Sequence, residues 1–124
     1  AFHESDFDSA NIIITPVKKV FHSDADSFIV AQVNITNESG KILPSVLPGG
    51  NGVYLSYHIY DATNNLILWD GIRTPLEVDN EKNYLQGLFV ELPLQSGEYF
   101  VDVDFLTEDV RWWGINSRFK LIVK

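Results

Sequence analysis

Four carboxylates, Glu91, Asp102, Asp104 and Glu108, could be assembled into the acid and base, or acid and nucleophile, that glycosidic chemistry requires. Asp102 and Asp104, however, alternate along an extended run, and alternating acids on a strand are ordinarily its wet face. Asp102, Asp104 and Glu108 are therefore read first as hydrogen-bonding groups for a ligand. A small glycan-active enzyme built on them is an alternative that their conversion to amides would test. Other catalytic signatures are missing: the sequence has no Gly-x-Ser-x-Gly elbow, phosphate loop or dinucleotide fingerprint, and no cysteine. Gly49-Gly-Asn-Gly52 precedes a strand, whereas phosphate-binding loops precede a helix.

Metal ligands are as sparse. His3, His22 and His58 lie far apart, with no spacing that would bring two onto one ion. His22-Ser-Asp-Ala-Asp26 gathers two carboxylates but lacks the glycine and distal Glu of a calcium loop, and reads as a solvated acidic turn. Neither a metal nor a cofactor is expected.

Aromatic and polar groups are the remaining chemistry. Tyr54, His58 and Tyr60 share one face of an alternating run, and Asp102 and Asp104 share one with Phe100 and Leu106. Flat rings mixed with carboxylates, hydroxyls and an imidazole suit sugars, whose C–H faces stack on aromatics while their hydroxyls meet directed polar groups. Trp69 and Arg73 stand together in WDGIRTPL. If Arg73 is buried it needs a carboxylate, with Glu108 and Asp70 as the available partners.

The elements that carry these residues have period two. Residues 28–36 (FIVAQVNIT) and 53–61 (VYLSYHIYD) alternate cleanly. The Asp61-Ala-Thr-Asn-Asn65 turn, where Asn tolerates a positive φ, should return the chain through 66–70 as a hairpin. Residues 84–92 form another strand, ended by Pro93, and 97–107 form a long central one. Phe119, Leu121 and Val123 alternate at the end, and 11–20 hold a weaker strand broken at Pro16. Leu94-Gln-Ser-Gly-Glu-Tyr99 is similar to the tyrosine corner of immunoglobulin-like domains. No ten-residue window has a helical apolar stripe. The expected fold is thus all-β, an antiparallel β-sandwich of immunoglobulin-like or jelly-roll type with seven to eight strands, and irregular stretches at 41–52 and 71–83.

Length and charge bound the rest. The chain of 124 residues, 45% hydrophobic, suits one domain, 1–124, with 1–10 as a flexible lead-in. Its N-terminus reads as that of a piece excised from a larger protein. A net charge of −8, with nine scattered Lys and Arg, disfavours nucleic acid and anionic membranes as partners. No apolar run is long enough for a membrane span.

The hairpin SYHIYDATNNLILWDGIRTPL, the strand LPLQSGEYFVDVDFLTEDVRWW and the closing FKLIV together resemble a family of β-sandwich domains. It is the carbohydrate-binding C-terminal domain of O-antigen ABC transporters of the Wzt type, with related modules attached to polysaccharide glycosyltransferases. The matching segments are 57–69, 73–76, 93–99 and 101–113, within a span of about 28–124. Asn64-Asn65 stands where the family commonly has glycine, and the family's domains are often longer. The resemblance implies a non-catalytic module that recognises a bacterial surface polysaccharide for export or assembly, cytoplasmic through its parent protein. A second reading is an adaptor: a sandwich that packs on a neighbouring transferase or ATPase domain, or forms a homodimer through an edge strand.

Adjacent residues on a strand point to opposite faces, so Trp112 and Trp113 in EDVRWWGINSRF should separate. Counting back from Phe119 makes Trp113 the core residue and Trp112 the ligand ring.

Overall fold

The computed structural model of the chain describes residues 11–24, 27–40, 43, 52–76, 82–92 and 95–124. The expected lead-in at 1–10, His3, Asp26, the glycines at 49 and 50 and Pro93 lie outside them. The described residues form ten strands: β1 (Ile12–Pro16), β2 (Val20–Ser23), β3 (Phe28–Asn37), β4 (Val53–Asp61), β5 (Leu66–Leu68), β6 (Thr74–Pro75), β7 (Asn83–Glu91), β8 (Gly97–Thr107), β9 (Arg111–Trp112) and β10 (Ser117–Val123). A three-stranded sheet has the order β1-β3-β7. A seven-stranded sheet has the order β2-β10-β8-β4-β5, with β6 beside β4 and β9 beside β8.

Period-two burial builds the core. Ile12 and Ile14 of β1, Ala31, Val33 and Ile35 of β3, and Leu88 and Val90 of β7 point inward from the smaller sheet. Val53, Leu55, Tyr57 and Ile59 of β4, Val101, Val103 and Phe105 of β8, and Phe119, Leu121 and Val123 of β10 point inward from the larger one. They merge into one cluster, and each full burial of such an aliphatic or Phe side chain stabilises by roughly 1.5–3 kcal/mol. Tyr57 carries the one phenol in this cluster. Its oxygen accepts the Glu91 N–H at 3.0 Å, which ties β4 to β7, and burial pushes its pKa up.

The turns follow local chemistry. The Asp61 Oδ1 accepts the N–H of Thr63 and of Asn65, each at 2.9 Å, and the Thr63 hydroxyl at 2.8 Å. Asn64 takes a φ of 67°, as the turn requires, and the hairpin from β4 to β5 forms. At the start of β8, the Tyr99 hydroxyl donates to the Gln95 carbonyl at 2.7 Å, the hydrogen bond expected of the tyrosine corner.

Three expectations are corrected. The strand count exceeds seven to eight, because β6 and β9 are two-residue strands and the run at 11–20 divides. Pro16, which cannot donate to a ladder, ends β1, and the chain re-enters as β2 in the other sheet. The pairing is not wholly antiparallel either, since β2 lies parallel to β10. The return arm expected at 66–70 stops at Leu68, because residues 69–73 leave the ladder.

Candidate functional site

Both neighbours of the central β4–β8 pair are interrupted. β5 and β6 run along the same side of β4, with Ile59 opposite Leu68 and Leu55 opposite Thr74, so they are one edge strand broken at 69–73. β9 and β10 share the far side of β8, with Leu106 opposite Trp112 and Val103 opposite Ser117, and are broken at 113–116.

Two polar residues hold these breaks. Ser56 and Asp104 are cross-strand partners on the outer face of the sheet. The Ser56 hydroxyl lies 2.9 Å from the carbonyl oxygens of both Gly71 and Ile72, and the Gly71 N–H donates to the Tyr57 carbonyl at 3.1 Å. Asp104 accepts the Phe105 and Ile115 N–H groups on Oδ1, each at 2.9 Å, and the Gly114 N–H on Oδ2 at 2.7 Å. Gly114 has a φ of 84°, a region that favours glycine. Burial pushes the Asp104 carboxyl above its ordinary range; the three amide donors, and then the nearby His58, act in the opposite direction.

The breaks bring two tryptophans over His58. The His58 ring is stacked on Trp69 at 3.7 Å and 11°, and Trp112 lies tilted against it at 4.1 Å. The Trp69 and Trp112 centroids are 5.9 Å apart. His58 Nδ1 is hydrogen-bonded to the Trp69 carbonyl, which has no proton to give, so Nδ1 is the donor. In the neutral imidazole this leaves Nε2 an acceptor, buried and without a hydrogen-bond partner. Because one face of Trp69 lies on His58, its 48% exposure belongs to the opposite face and the ring edges.

Arg73 forms the rim of this platform. Its Nε and Nη2 donate to the two Glu108 oxygens at 3.1 and 3.2 Å, and Nη1 donates to Asp70 and to the Gly71 carbonyl, both at 2.7 Å. Its guanidinium carbon stands 5.6 Å from the Trp112 ring centre. Both carboxylates foreseen as partners are used. Further along the sheet, Arg118 Nε and Nη2 donate to Asp102 at 2.6 and 3.2 Å, while the guanidinium covers Phe100 at 4.8 Å and Tyr60 at 5.3 Å.

The structure thus gathers Trp69, Trp112, His58, Arg73 and Glu108 at one place. Tyr54 and Tyr60 share the outer face but sit at opposite ends of it, beside Leu106 and Phe100. Three residues expected to contact a ligand are buried. His58 and Asp104 are 1% and 0% exposed, so they support the platform from beneath rather than face a ligand. Asp102 is buried and bound to Arg118, because an uncompensated carboxylate at that depth would be costly. Trp112 is half-buried under Arg73, and Trp69 is the open ring. Trp113 is in the core as expected: it packs on Phe105 at 5.4 Å and donates from Nε1 to the Thr107 hydroxyl at 2.8 Å. Ser56, Gly71 and Arg118 were not foreseen. Ser56 had a signal, since it is the small hydroxyl in the otherwise aromatic set Tyr54, His58 and Tyr60.

Neither a family model nor a curated protein sequence matches the chain.

Proposed function

We propose that this chain is a non-catalytic carbohydrate-binding module in which the two sheets pack as a β-sandwich, and that its ligand is a bacterial surface polysaccharide of O-antigen type. The observation that carries the reading is the exposed indole of Trp69, stacked on His58 and 5.9 Å from Trp112, the ring that Arg73 stands against with its partners Glu108 and Asp70. A backed indole loses little freedom when a pyranose ring stacks on it, and the rim offers donors and acceptors to the sugar hydroxyls. The resemblance to the transporter-linked domains supports the same ligand class and a parent protein that exports or assembles the polymer. The acids favour binding over hydrolysis, because Asp102, Asp104 and Glu108 are each engaged by an arginine or by backbone amides.

Titration with O-antigen oligosaccharide, followed by tryptophan fluorescence and amide shifts, tests this. A saturable response that Trp69→Ala removes is the expected result. An unresponsive domain at millimolar oligosaccharide would count against the reading.

A further inference from the structure

On the smaller sheet, away from Trp69, a cleft of about 480 Å³ opens where β7 meets β6. It is lined by Val30, Gln32, Thr74, Pro75, Leu76, Gln86, Gly87 and Phe89. Val30 stands opposite Phe89, and Gln32 opposite Gly87, so a glycine forms the floor between an aromatic wall and an amide. A Cβ at Gly87 would lie 3.0 Å from Val30 Cγ1, and any side chain there would fill the hollow. The volume falls within the range of small-ligand pockets.

Three features select the occupant. Part of the edge of β7 is already taken: the Phe89 N–H donates to the Thr74 hydroxyl and the Glu91 N–H to the Tyr57 phenol, both at 3.0 Å, and the Gly87 carbonyl accepts the Gln86 amide at 2.9 Å. An extended peptide would find those ladder groups taken. No lining residue is ionisable in a chain of net charge −8, so the cleft offers nothing to pair with a charged ligand. Hydrogen-bonding capacity remains nonetheless. The Gln32 side-chain amide is exposed and no hydrogen bond engages it among the described residues, and the Gly87 N–H, two residues before that of Phe89, points to the same edge of β7. Phe89 exposes 43% of its surface beside these groups.

We infer that this cleft is a second saccharide site, which takes an uncharged pyranose unit stacked on Phe89 and hydrogen-bonded to the Gln32 amide and the Gly87 N–H. It shares a ligand class with the Trp69 platform but no residue, so the two stand or fall separately. Amide shifts of the whole chain, titrated with neutral trisaccharides of mannose, galactose, glucose or N-acetylglucosamine, test the cleft. Saturable shifts at Gln32, Gly87 and Phe89 are expected with at least one of them. The shifts should persist in Trp69→Ala and weaken in Phe89→Ala by about five-fold, as expected for loss of one aromatic stack. Gln32→Ala should weaken them independently of any change Phe89→Ala makes to packing. Three results would overturn the site: no saturable shift at these amides with any trisaccharide, shifts indifferent to both cleft variants, or shifts that vanish with Trp69→Ala. A dimer that Phe89→Ala dissolves, with no sugar response at the cleft, would assign the face to self-association instead.

Discussion

Ser56 and Asp104 face each other across β4 and β8, and each fastens a break in the strand on its own outer side. The hydroxyl serves orphan carbonyls at 71 and 72, and the carboxylate serves orphan amides at 114 and 115. One cross-strand pair therefore sets the approach of both Trp69 and Trp112 to His58.

Removal of either member should loosen its own break. Asp104→Ala leaves three N–H donors without their acceptor and should destabilise by about 1–3 kcal/mol, with faster hydrogen exchange at Gly114 and Ile115. Ser56→Ala should cost about 1 kcal/mol, with its disturbance at Trp69 and Gly71. Urea unfolding with amide exchange reads both effects. Equal disturbance of both breaks by each variant would contradict the division of labour.

Asp104 and Asp61 should leave opposite marks on the pH dependence of stability. Burial raises the Asp104 pKa from its ordinary 3.8, so the folded state holds the proton more tightly than the unfolded chain. Its contribution is fully present below 3.8 and is lost as pH rises through the raised folded value. The Asp61 pKa is lowered from 3.8, first by the Asn65 N–H and then by the Thr63 hydroxyl. Its contribution is present above 3.8 and is lost as pH falls through the lowered folded value. Unfolding free energies of wild type minus Asp104→Asn should fall with rising pH across the first window. Wild type minus Asp61→Asn should rise with pH across the second. Slopes of the other sign would refute the two environments.

The strands were legible because burial on one face imposes period two, and 53–61 and 97–107 match their observed bounds. Counting back from Phe119 also placed Trp113 in the core, although that count crosses the break at 113–116, where Gly114 and Asn116 take positive φ. The breaks were legible only in part: an irregular stretch is expected from Gly71, but nothing in the order Leu68-Trp-Asp-Gly-Ile-Arg73 shows that the chain leaves the ladder at Trp69, is held by a hydroxyl fifteen residues away and rejoins the sheet at Thr74. The burial of His58, Asp102 and Asp104 was hidden for a related cause. A polar residue on the outer face of a sheet is exposed only if nothing lies over that face, and here the broken strands and Arg118 do. The division of 11–20 between two sheets depends on partners in β3 and β10 that a local pattern does not reveal.

Gly71 should tolerate no side chain. Its N–H is bonded to the Tyr57 carbonyl, and a Cβ would lie 2.6 Å from that oxygen and 2.8 Å from two atoms of the Tyr57 ring. Tyr57 is fixed in the core and hydrogen-bonded to Glu91, so it cannot yield. Gly71→Ala should destabilise by about 1–3 kcal/mol, the usual cost of overpacking, and should release Trp69 from His58. Thermal unfolding and the indole signals of Trp69 measure this. A variant as stable as wild type, with Trp69 in place, would mean that the segment can move outward freely.

The three tryptophans should separate stability from binding. Trp113→Ala removes a buried ring from the core and should cost about 3–5 kcal/mol, with sugar affinity kept wherever the domain remains folded. Trp69→Ala removes a half-exposed ring and should cost little stability while it abolishes the response at the platform. Trp112→Ala should do some of each, because that ring is half-buried between His58 and Arg73 and steadies the rim. Urea unfolding and oligosaccharide titration of the three variants decide the order. Should Trp112→Ala abolish the response while Trp69→Ala leaves it intact, the ligand ring would be the one first expected from residue alternation, and the stacked His58 would be backing a surface that binds nothing.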